Sequence, residues 1–551
     1  MTTKFFAFAP RAVRLLALTT FLSVGLGACD VTDLQPQDSL AEELAFEDAA
    51  KANISVAGMY DAAQSGFYDP LNGTAIAVRG YPFGAAANEL GDMRGEDVTD
   101  LAGFFGIVYN NTITPSSPNV VNMWSTLYAL INQANVVIEG VRGAGTRGTL
   151  TSVDALAFEG EGRFLRALAY HELLLNFARP FADGNGSQLG VPYRDFAINT
   201  AAKVDQARTQ GRNTVAEIYT KMIEDLDFAE TNLPVTRAGN LRVTRATRAA
   251  AIALKQRLYL HQGNWAAAVR EGNKLISANA PFTSAIGGYS LNATPAGAFP
   301  GGTTVTNENV FSIENSADDN PGVNGALPSM FGSPNTTAQN PAGIQGRGLI
   351  AVSPNLFNLS AWSCSDLRRT QLLQPTATRY FTFKYKDAAN NTDFAPIIRY
   401  AEVLLNQAEA EARQNNSARA LVLLNAVRNR AVTTASEQYT AANNNVPVGN
   451  ELTRAILNER RIEFVAEGFR WDDIHRLAVD PVFTTNGIPR KLSAAQTVIA
   501  NYRCPTPTNP APSLTGTVAP IPYSDFRFLW PIPSIEIANN PTLAAQQNPG
   551  Y

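Results

Sequence analysis

Residues 458–477 read Asn-Glu-Arg-Arg-Ile-Glu-Phe-Val-Ala-Glu-Gly-Phe-Arg-Trp-Asp-Asp-Ile-His-Arg-Leu. Three glutamates, Glu459, Glu463 and Glu467, follow one another at intervals of four residues. A helix places the Cβ atoms of neighbours at this spacing about 5–6 Å apart on one face. Carboxyl groups at that separation are typical of a retaining glycosidase. However, like charges on one face need cationic partners, and the same segment supplies four arginines, Arg460, Arg461, Arg470 and Arg476. We therefore interpret the segment as a structural ion-pair network and predict no catalytic residues.

Helical periodicity extends over much of the chain on either side of this segment. Apolar residues recur at three- and four-residue spacing over residues 122–139, 154–177 and 213–232, and Pro234 ends the last of these. Two further stretches predict helix pairs of tetratricopeptide type. The first turns at Gly263 and resumes through Ala268; the second turns at residues 415–416 and resumes through Ala420. The sequence therefore predicts a mainly α-helical fold.

Residues 281–395 have a different composition, rich in Gly, Pro, Asn, Ser and Thr. This composition favours turns and irregular loops, with short strands at 310–313 and 380–385. A long irregular insertion in a helical scaffold is where binding residues tend to lie. The last thirty residues are also punctuated by proline, and we expect them to wrap over the helices.

The first 28 residues predict a secretory leader. Lys4, Arg11 and Arg14 precede an uncharged run from Leu15 to Ala28, which ends in small residues before Cys29. The sequence Leu-Gly-Ala-Cys resembles the bacterial lipobox, in which the cysteine is lipidated. We therefore expect Cys29 to be the lipidated first residue of a mature protein that is anchored to a membrane without spanning it.

Composition and motifs exclude several functional classes. With 48 acidic and 44 basic residues, the net charge of −4 gives no broad electrostatic surface for nucleic acid. Residues 143–148 match a dinucleotide-binding pattern, but a helix rather than a strand precedes them, so we predict an interhelical loop there. Residues 183–187 resemble a calcium loop without its downstream glutamate. The three histidines, His171, His261 and His475, do not have the spacing of a zinc site. No metal or cofactor is predicted, and the pairing of Cys364 with Cys504 stays open.

The segment 458–477 and the C-terminal runs 529–541 and 547–551 resemble the SusD/RagB family. Other matches follow in the family's order along the chain: Trp124–Tyr128, Arg163–Ala167, Leu189–Pro192, Asp366–Arg369, Ile398–Glu402 and Arg428–Ala431. Gly162 stands where the family more often has alanine. The resemblance extends over about residues 45–551 and is poorest across 281–365, where we expect ligand specificity to lie.

The resemblance implies a SusD-like α-helical scaffold with long loop insertions. It implies an outer-membrane lipoprotein that faces the cell exterior, captures oligosaccharides or peptides, and delivers them to a SusC-like TonB-dependent transporter without enzymatic activity. We divide the chain into a leader (1–28), a lipidated tether (29–44), an N-terminal helical part (45–280) and a C-terminal part (281–551) with variable loops. The alternative is a periplasm-facing tetratricopeptide lipoprotein that scaffolds envelope assembly.

Exposed aromatic rings in loops are the expected ligand contacts, because sugars present apolar C–H faces that stack on them. Loop position alone selects six candidates, of which Trp362 is the first choice: Phe104, Phe105, Tyr109, Tyr289, Phe331 and Trp362. The other tryptophans lie in family motifs, and we expect them to be structural.

Overall fold

The computed structural model describes residues 44–69, 74–76, 79–335 and 345–551. The predicted leader, Cys29 and all of the predicted tether except Leu44 lie outside the described residues, so their assignments stay predictions. The helices of the N-terminal half are α1 (Ala49–Ser65), α2 (Ala86–Met93), α3 (Gly106–Tyr109), α4 (Pro118–Arg147), α5 (Ser152–Phe177), α6 (Ala201–Arg208), α7 (Val215–Asn232), α8 (Leu241–Thr244), α9 (Arg248–His261) and α10 (Trp265–Leu275).

Shorter helices follow, and the strands are few and short. The later helices are α11 (Leu327–Phe331), α12 (Pro354–Phe357), α13 (Leu367–Gln371), α14 (Tyr400–Arg413), α15 (Ser417–Arg428), α16 (Asn450–Phe464), α17 (Phe469–Arg476), α18 (Ser534–Asn539) and α19 (Pro541–Ala544). The strands are β1 (Phe67–Asp69), β2 (Thr74–Ile76), β3 (Val98–Asp100), β4 (Asn309–Ile313), β5 (Ile350–Val352), β6 (Leu373–Pro375), β7 (Tyr380–Thr382), β8 (Ala395–Arg399), β9 (Gly487–Ile488) and β10 (Ile521–Pro522). They form two-stranded antiparallel ladders, β1–β2, β3–β5, β4–β8, β6–β7 and β9–β10. The mainly α-helical fold is confirmed.

The long helices α4 and α5 pack along each other and carry much of the N-terminal core. The interhelical loop predicted at residues 143–148 is wrong, because α4 continues to Arg147 and only Gly148, in the left-handed region at φ 77°, ends it. The glycine at 145 serves close packing instead: a Cβ there would lie 3.1 Å from the Cβ of Ala155 on α5. Gly162 has the same role, since its Cβ would lie 2.9 Å from Cγ1 of Ile138.

Two helix pairs match the predicted tetratricopeptide-like stretches. In the first, α9 and α10 are joined at Gly263, and the side chain of Asn264 caps α10 by accepting the N–H of Ala267. In the second, α14 and α15 are joined through Asn415, which adopts a left-handed backbone at φ 64°. Helix α10 also packs on α14, so the two pairs lie against each other.

One cluster of buried apolar residues runs from Phe46 to Ile532, on both sides of the division predicted at residue 280. That division stays a prediction. The insertion predicted at 281–395 contains short elements between irregular stretches; the strand expected at 310–313 is β4, and the one expected at 380–385 ends earlier, at Thr382. Cys364 and Cys504 form a disulfide with their Cα atoms 5.6 Å apart.

The C-terminal segment covers the N-terminal helices, as expected. The Asn548 side chain donates to the carbonyl oxygen of Phe177 at 2.9 Å, and Arg212 donates to the carbonyl oxygen of Gln546 at 2.8 Å. Across the described stretches, none of the helices combines the length and the apolar character that crossing a bilayer requires.

Candidate functional site

The β3–β5 ladder brings together two loops that are far apart in sequence. Its strands are antiparallel with Asp100 opposite Ile350, and the N–H of Leu101 extends the pairing by donating to the carbonyl oxygen of Leu349 at 2.9 Å. The chain that leaves β3 and the chain that enters β5 therefore lie at the same end of the ladder. This end carries residues 101–105 on one side and residues 345–349 on the other.

Asp100 fixes the shape of the first loop. Its carboxylate accepts the backbone N–H of Gly103 at 3.1 Å and of Phe105 at 3.2 Å, and Gly103 adopts a left-handed backbone at φ 72°. Phe105 is buried, whereas its neighbour Phe104 is only partly buried, and the two rings meet edge to face with centroids 5.0 Å apart. The turn thus places one aromatic ring in the core and the next at the surface.

Two exposed arginines lie over the ring of Phe104. The guanidinium carbon of Arg347 is 5.0 Å from the ring centroid and that of Arg79 is 5.4 Å from it, both within cation–π range. Nη1 of Arg347 also donates to the side-chain oxygen of Asn324 at 2.7 Å. Among the side chains that the structure describes, neither arginine forms an ion pair with a carboxylate. We call Arg79, Phe104 and Arg347 the arginine–phenylalanine cluster.

A buried carboxyl group, that of Glu89, interacts with both arginines of this cluster. Burial raises the pKa of Glu89 well above its ordinary value, and the charges of Arg347 and Arg79 only partly oppose that rise. Because a raised pKa favours the protonated form, Glu89 does little to neutralise the two arginines. The surface around Phe104 therefore keeps an excess of positive charge.

The structure buries the other five candidate rings. Tyr289, Phe331 and Trp362 are 2%, 1% and 1% exposed, and Phe105 and Tyr109 are 4% and 3% exposed. The hydroxyl of Tyr109 donates to the carbonyl oxygen of Leu492 at 2.6 Å, and that of Tyr289 donates to the carbonyl oxygen of Arg242 at 3.1 Å. Rings enclosed in this way offer no stacking surface to a sugar in this conformation. Contact between these five rings and a ligand stays an untested prediction. Phe104 is the candidate whose ring reaches the surface.

Trp362, the first choice, packs in a structural cluster. The guanidinium of Arg369 lies 4.4 Å from its ring centroid, and the ring of Phe357 lies 6.1 Å away. Arg369 in turn donates to the carbonyl oxygen of Trp362 at 2.7 Å. These contacts hold the residues just before Cys364 and its disulfide, so the tryptophan stabilises an irregular stretch of chain.

The glutamates of segment 458–477 form a buried ion-pair network, as predicted. Glu463 is 3% exposed and accepts hydrogen bonds from Arg430 at 2.6 Å, Arg368 at 2.8 Å and Arg399 at 3.1 Å. Burial alone would raise the pKa of Glu463, but the guanidinium charges hold it well below its ordinary value. A carboxylate that stays ionised among three guanidiniums cannot act as a general acid, so the geometry argues against a glycosidase pair.

Two details of this network differ from the sequence interpretation. Helix α16 ends at Phe464, so Glu467 follows the helix and does not continue its face; it reaches Arg399 at 2.6 Å from the next turn. The four interleaved arginines pair with carboxylates other than these three glutamates, and Arg460, for example, contacts Asp473 on α17 at 3.0 Å. The other three pairs are Arg461 with Asp97, Arg470 with Glu96 and Arg476 with Glu409.

The remaining candidate motifs have structural partners. His171 and His261 are buried against each other, with ring nitrogens 3.4 Å apart, and His475 contacts the carbonyl oxygen of Ala178 at 2.9 Å. The carboxylate of Asp183 accepts the hydroxyl of Tyr523 at 2.7 Å. In the described part of the chain, no group of three His, Cys, Asp or Glu side chains is arranged to hold a metal ion.

Comparison with known proteins places these features in a family. Residues 374–551 match the SusD family, and residues 106–260 match the family described as "Starch-binding associating with outer membrane". SusD-like protein P2 of Formosa agariphila is 26% identical and aligns with 97% of this chain and 99% of that protein. The chain belongs to the SusD family.

Solved structures share the SusD fold. A SusD superfamily protein from Bacteroides fragilis, 23% identical, superimposes with a TM-score of 0.69 over 90% of this chain and 99% of that one. Surface glycan-binding protein A from Bacteroides thetaiotaomicron, solved in complex with laminarihexaose, is 18% identical and superimposes with a TM-score of 0.63 over 91% of this chain and 99% of that one.

The matched ranges of this SusD-family chain contain most of the buried ion-pair network and none of the arginine–phenylalanine cluster. Glu463 and two of its arginine partners, Arg399 and Arg430, lie within 374–551, and the third partner, Arg368, lies just before that range. Arg79, Phe104 and Arg347 all lie outside both matched ranges. Sequence reasoning selected Phe104 by its loop position, but it missed both arginines, because only the folded chain brings them to the ring.

Proposed function

We propose that this protein is a non-enzymatic, lipid-anchored SusD-family protein that binds oligosaccharides at the outer face of the outer membrane. We further propose that it delivers them to a SusC-like TonB-dependent transporter. The observation that carries the proposal is the pair of family matches, one of which is described as starch-binding and associated with the outer membrane. Binding of laminarihexaose by a protein of the same fold supports a glycan as the ligand.

The distribution of elements fits a binding protein better than an enzyme. The long helices form a scaffold, whereas Phe104 and Arg347 are held by a short ladder at the ends of irregular stretches. The carboxylates that could have served in hydrolysis, Glu459, Glu463 and Glu467, are buried and each is paired with at least one arginine. The ligand contacts therefore belong to loops, and ligand specificity can differ between members while the scaffold stays the same.

The anchor gives the transfer step its physical basis. If Cys29 carries the lipid, binding protein and transporter share one membrane, and each encounter becomes effectively intramolecular. Modest affinity for the sugar is then sufficient for capture, and it also allows release into the transporter. The tetratricopeptide-like pairs α9–α10 and α14–α15 offer a rigid helical surface for docking on the transporter.

Two measurements test this proposal. Tagged protein purified from outer membranes in mild detergent should bring down a TonB-dependent barrel in stoichiometric amount, and a Cys29→Ala variant should lose the membrane fraction. In parallel, the purified protein should bind members of an oligosaccharide panel by calorimetry. Recovery of periplasmic assembly factors without a barrel would instead favour the envelope scaffold, and binding only of peptides would exclude a glycan ligand.

A further inference from the structure

The arginine–phenylalanine cluster differs from other arginines of the molecule in how its charge is compensated. Buried arginines such as Arg399 and Arg476 each contact at least two carboxylates. Arg79 and Arg347 are exposed and form no ion pair with any carboxylate whose side chain the structure describes. Their shared neighbour is an aromatic ring, which attracts cations without neutralising them.

The geometry of Arg347 leaves donors available to a ligand. Its Nη1 is held by the side chain of Asn324 at 2.7 Å and by the carbonyl oxygen of Val323 at 3.4 Å. Its Nε and Nη2 make no hydrogen bond to any residue that the structure describes. A guanidinium held on one edge and supported by a ring presents its other edge as a planar pair of donors, which matches the two oxygens of an anionic group.

Nearby acidic groups do not cancel this charge. Glu89 is buried, and its raised pKa favours the neutral form. The Asp100 carboxylate is directed into its own turn, where the N–H groups of Gly103 and Phe105 occupy it. Two arginines form too small a patch for nucleic acid, whose binding needs several phosphate contacts. Two guanidiniums suit a ligand that carries a single anionic substituent.

We propose that Arg79, Phe104 and Arg347 form a subsite for the anionic group of an acidic oligosaccharide, a uronate carboxylate or a sulfate ester. The two guanidiniums bind the anionic oxygens, and the exposed part of the Phe104 ring contacts the sugar's C–H face. This inference rests on the proposed function, because it assumes that the ligand is a glycan. It adds the chemical class of that glycan.

The experiment compares ligands and variants by calorimetry. Uncharged, carboxylated and sulfated oligosaccharides of equal length are titrated into the full mature chain and into its Arg79→Gln and Arg347→Gln variants. We expect acidic ligands to bind more tightly than the uncharged one, and each variant to lose about tenfold in affinity for acidic ligands. Affinity for the uncharged ligand should stay within about twofold, and the acidic preference should fall as ionic strength rises.

Two further variants serve as matched controls. Arg454→Gln removes an exposed arginine on α16, whose partner is Glu451, and should leave all affinities unchanged. Arg347→Lys keeps the charge but loses the planar fork, so its affinity for the acidic ligands should lie between wild type and Arg347→Gln. Circular dichroism spectra that match wild type establish that each variant is folded.

The outcomes separate the inference from the function on which it rests. If the uncharged ligand binds as tightly as the acidic ones, or the two glutamine variants keep wild-type affinity for them, the subsite is overturned while glycan binding stands. If no oligosaccharide binds, both the anionic subsite and the proposed glycan binding are excluded. Tight binding of inorganic sulfate alone, equal to that of the sulfated sugar, would also overturn a sugar subsite. The carboxylated and sulfated arms identify which anionic group the cluster prefers.

Discussion

The molecule uses arginine in two opposite ways. Around Glu463, the guanidiniums of Arg368, Arg399 and Arg430 are buried and each contacts carboxylates. Around Phe104, two guanidiniums are exposed and supported by a ring, without a carboxylate partner among the described side chains. Most of the first arrangement, Glu463 with Arg399 and Arg430, lies in a part that matches the family, whereas the second lies wholly outside the matched parts. Charge compensated within the chain stabilises the fold, whereas charge left uncompensated at the surface is available to a ligand.

The largest effect should come from removing the central carboxylate of the buried network. Glu463→Gln leaves three buried guanidiniums short of a negative charge, and breaking such a pair costs about 3 kcal/mol or more in the free energy of unfolding. Urea denaturation of the purified protein measures it.

The matched control for this change is Glu451→Gln, which removes an exposed partner of Arg454 and should cost less than about 0.5 kcal/mol. Equal stability of the two variants would show that the buried network is not a stabilising feature. Glycan hydrolysis should be absent from wild type and variant alike, and turnover in either would reopen the catalytic interpretation.

The pH dependence of stability should show an effect of intermediate size from the buried ion pairs of Asp473. Burial alone would raise the pKa of Asp473, but Arg460 and Arg476 lower it from 3.8 to about 2. Because the folded-state pKa lies below the unfolded value, this stabilisation is complete above about pH 4 and is lost as the pH falls toward 2. This stabilisation contributes about 2 kcal/mol to the free energy of unfolding.

The free energy of unfolding of Asp473→Asn should therefore depend less steeply on pH between 4 and 2 than that of wild type. The measurement is a series of urea titrations across that range. Parallel curves for the two proteins would contradict the assignment, and Asp525→Asn, at an exposed pair with Arg527, supplies the surface control.

The smallest change in stability should accompany a substitution that gives the surface cluster an ion pair of its own. Asn324→Asp places a carboxylate where Nη1 of Arg347 now meets an amide oxygen. An exposed pair of this kind contributes less than about 1 kcal/mol, so thermal unfolding should shift little.

The same variant should bind acidic oligosaccharides several-fold more weakly, because the new carboxylate competes with the ligand and repels it. Calorimetry with wild type alongside measures this. Unchanged affinity would mean that the charge of Arg347 does not contribute to binding of the acidic ligand.

The helices could be predicted from the sequence because their signal is local. Periodic apolar residues and turn residues such as Gly263 carry it, and α9 and α10 meet at the expected turn, with Ala268 inside α10. The loop predicted from the glycines at 143–148 is wrong because glycine also occurs inside a helix, at positions where a second helix approaches closely. Gly145 faces Ala155 in this way, and no local pattern distinguishes the two uses.

The site could be predicted only in part, for a related reason. Composition predicted irregular backbone around Tyr289 and Trp362, but irregular backbone is not the same as exposure, and both rings are buried. The ion-pair network was expected from Glu463 and its neighbours, yet its arginine partners come from distant segments. Arg347 lies 243 residues from Phe104 in the sequence, so their contact follows from the β3–β5 ladder and from nothing local.

That ladder has a consequence for how such a protein diversifies. Three residue pairs between β3 and β5 fasten both sides of the surface cluster to the core. Insertions or deletions beyond Asp100 or before Ile350 can therefore change the loops without moving the scaffold. The ladder is a fixed attachment point for loops that differ in length and sequence. An engineer who wished to give this chain a new ligand would keep residues 98–100 and 350–352 and exchange the loops that they hold.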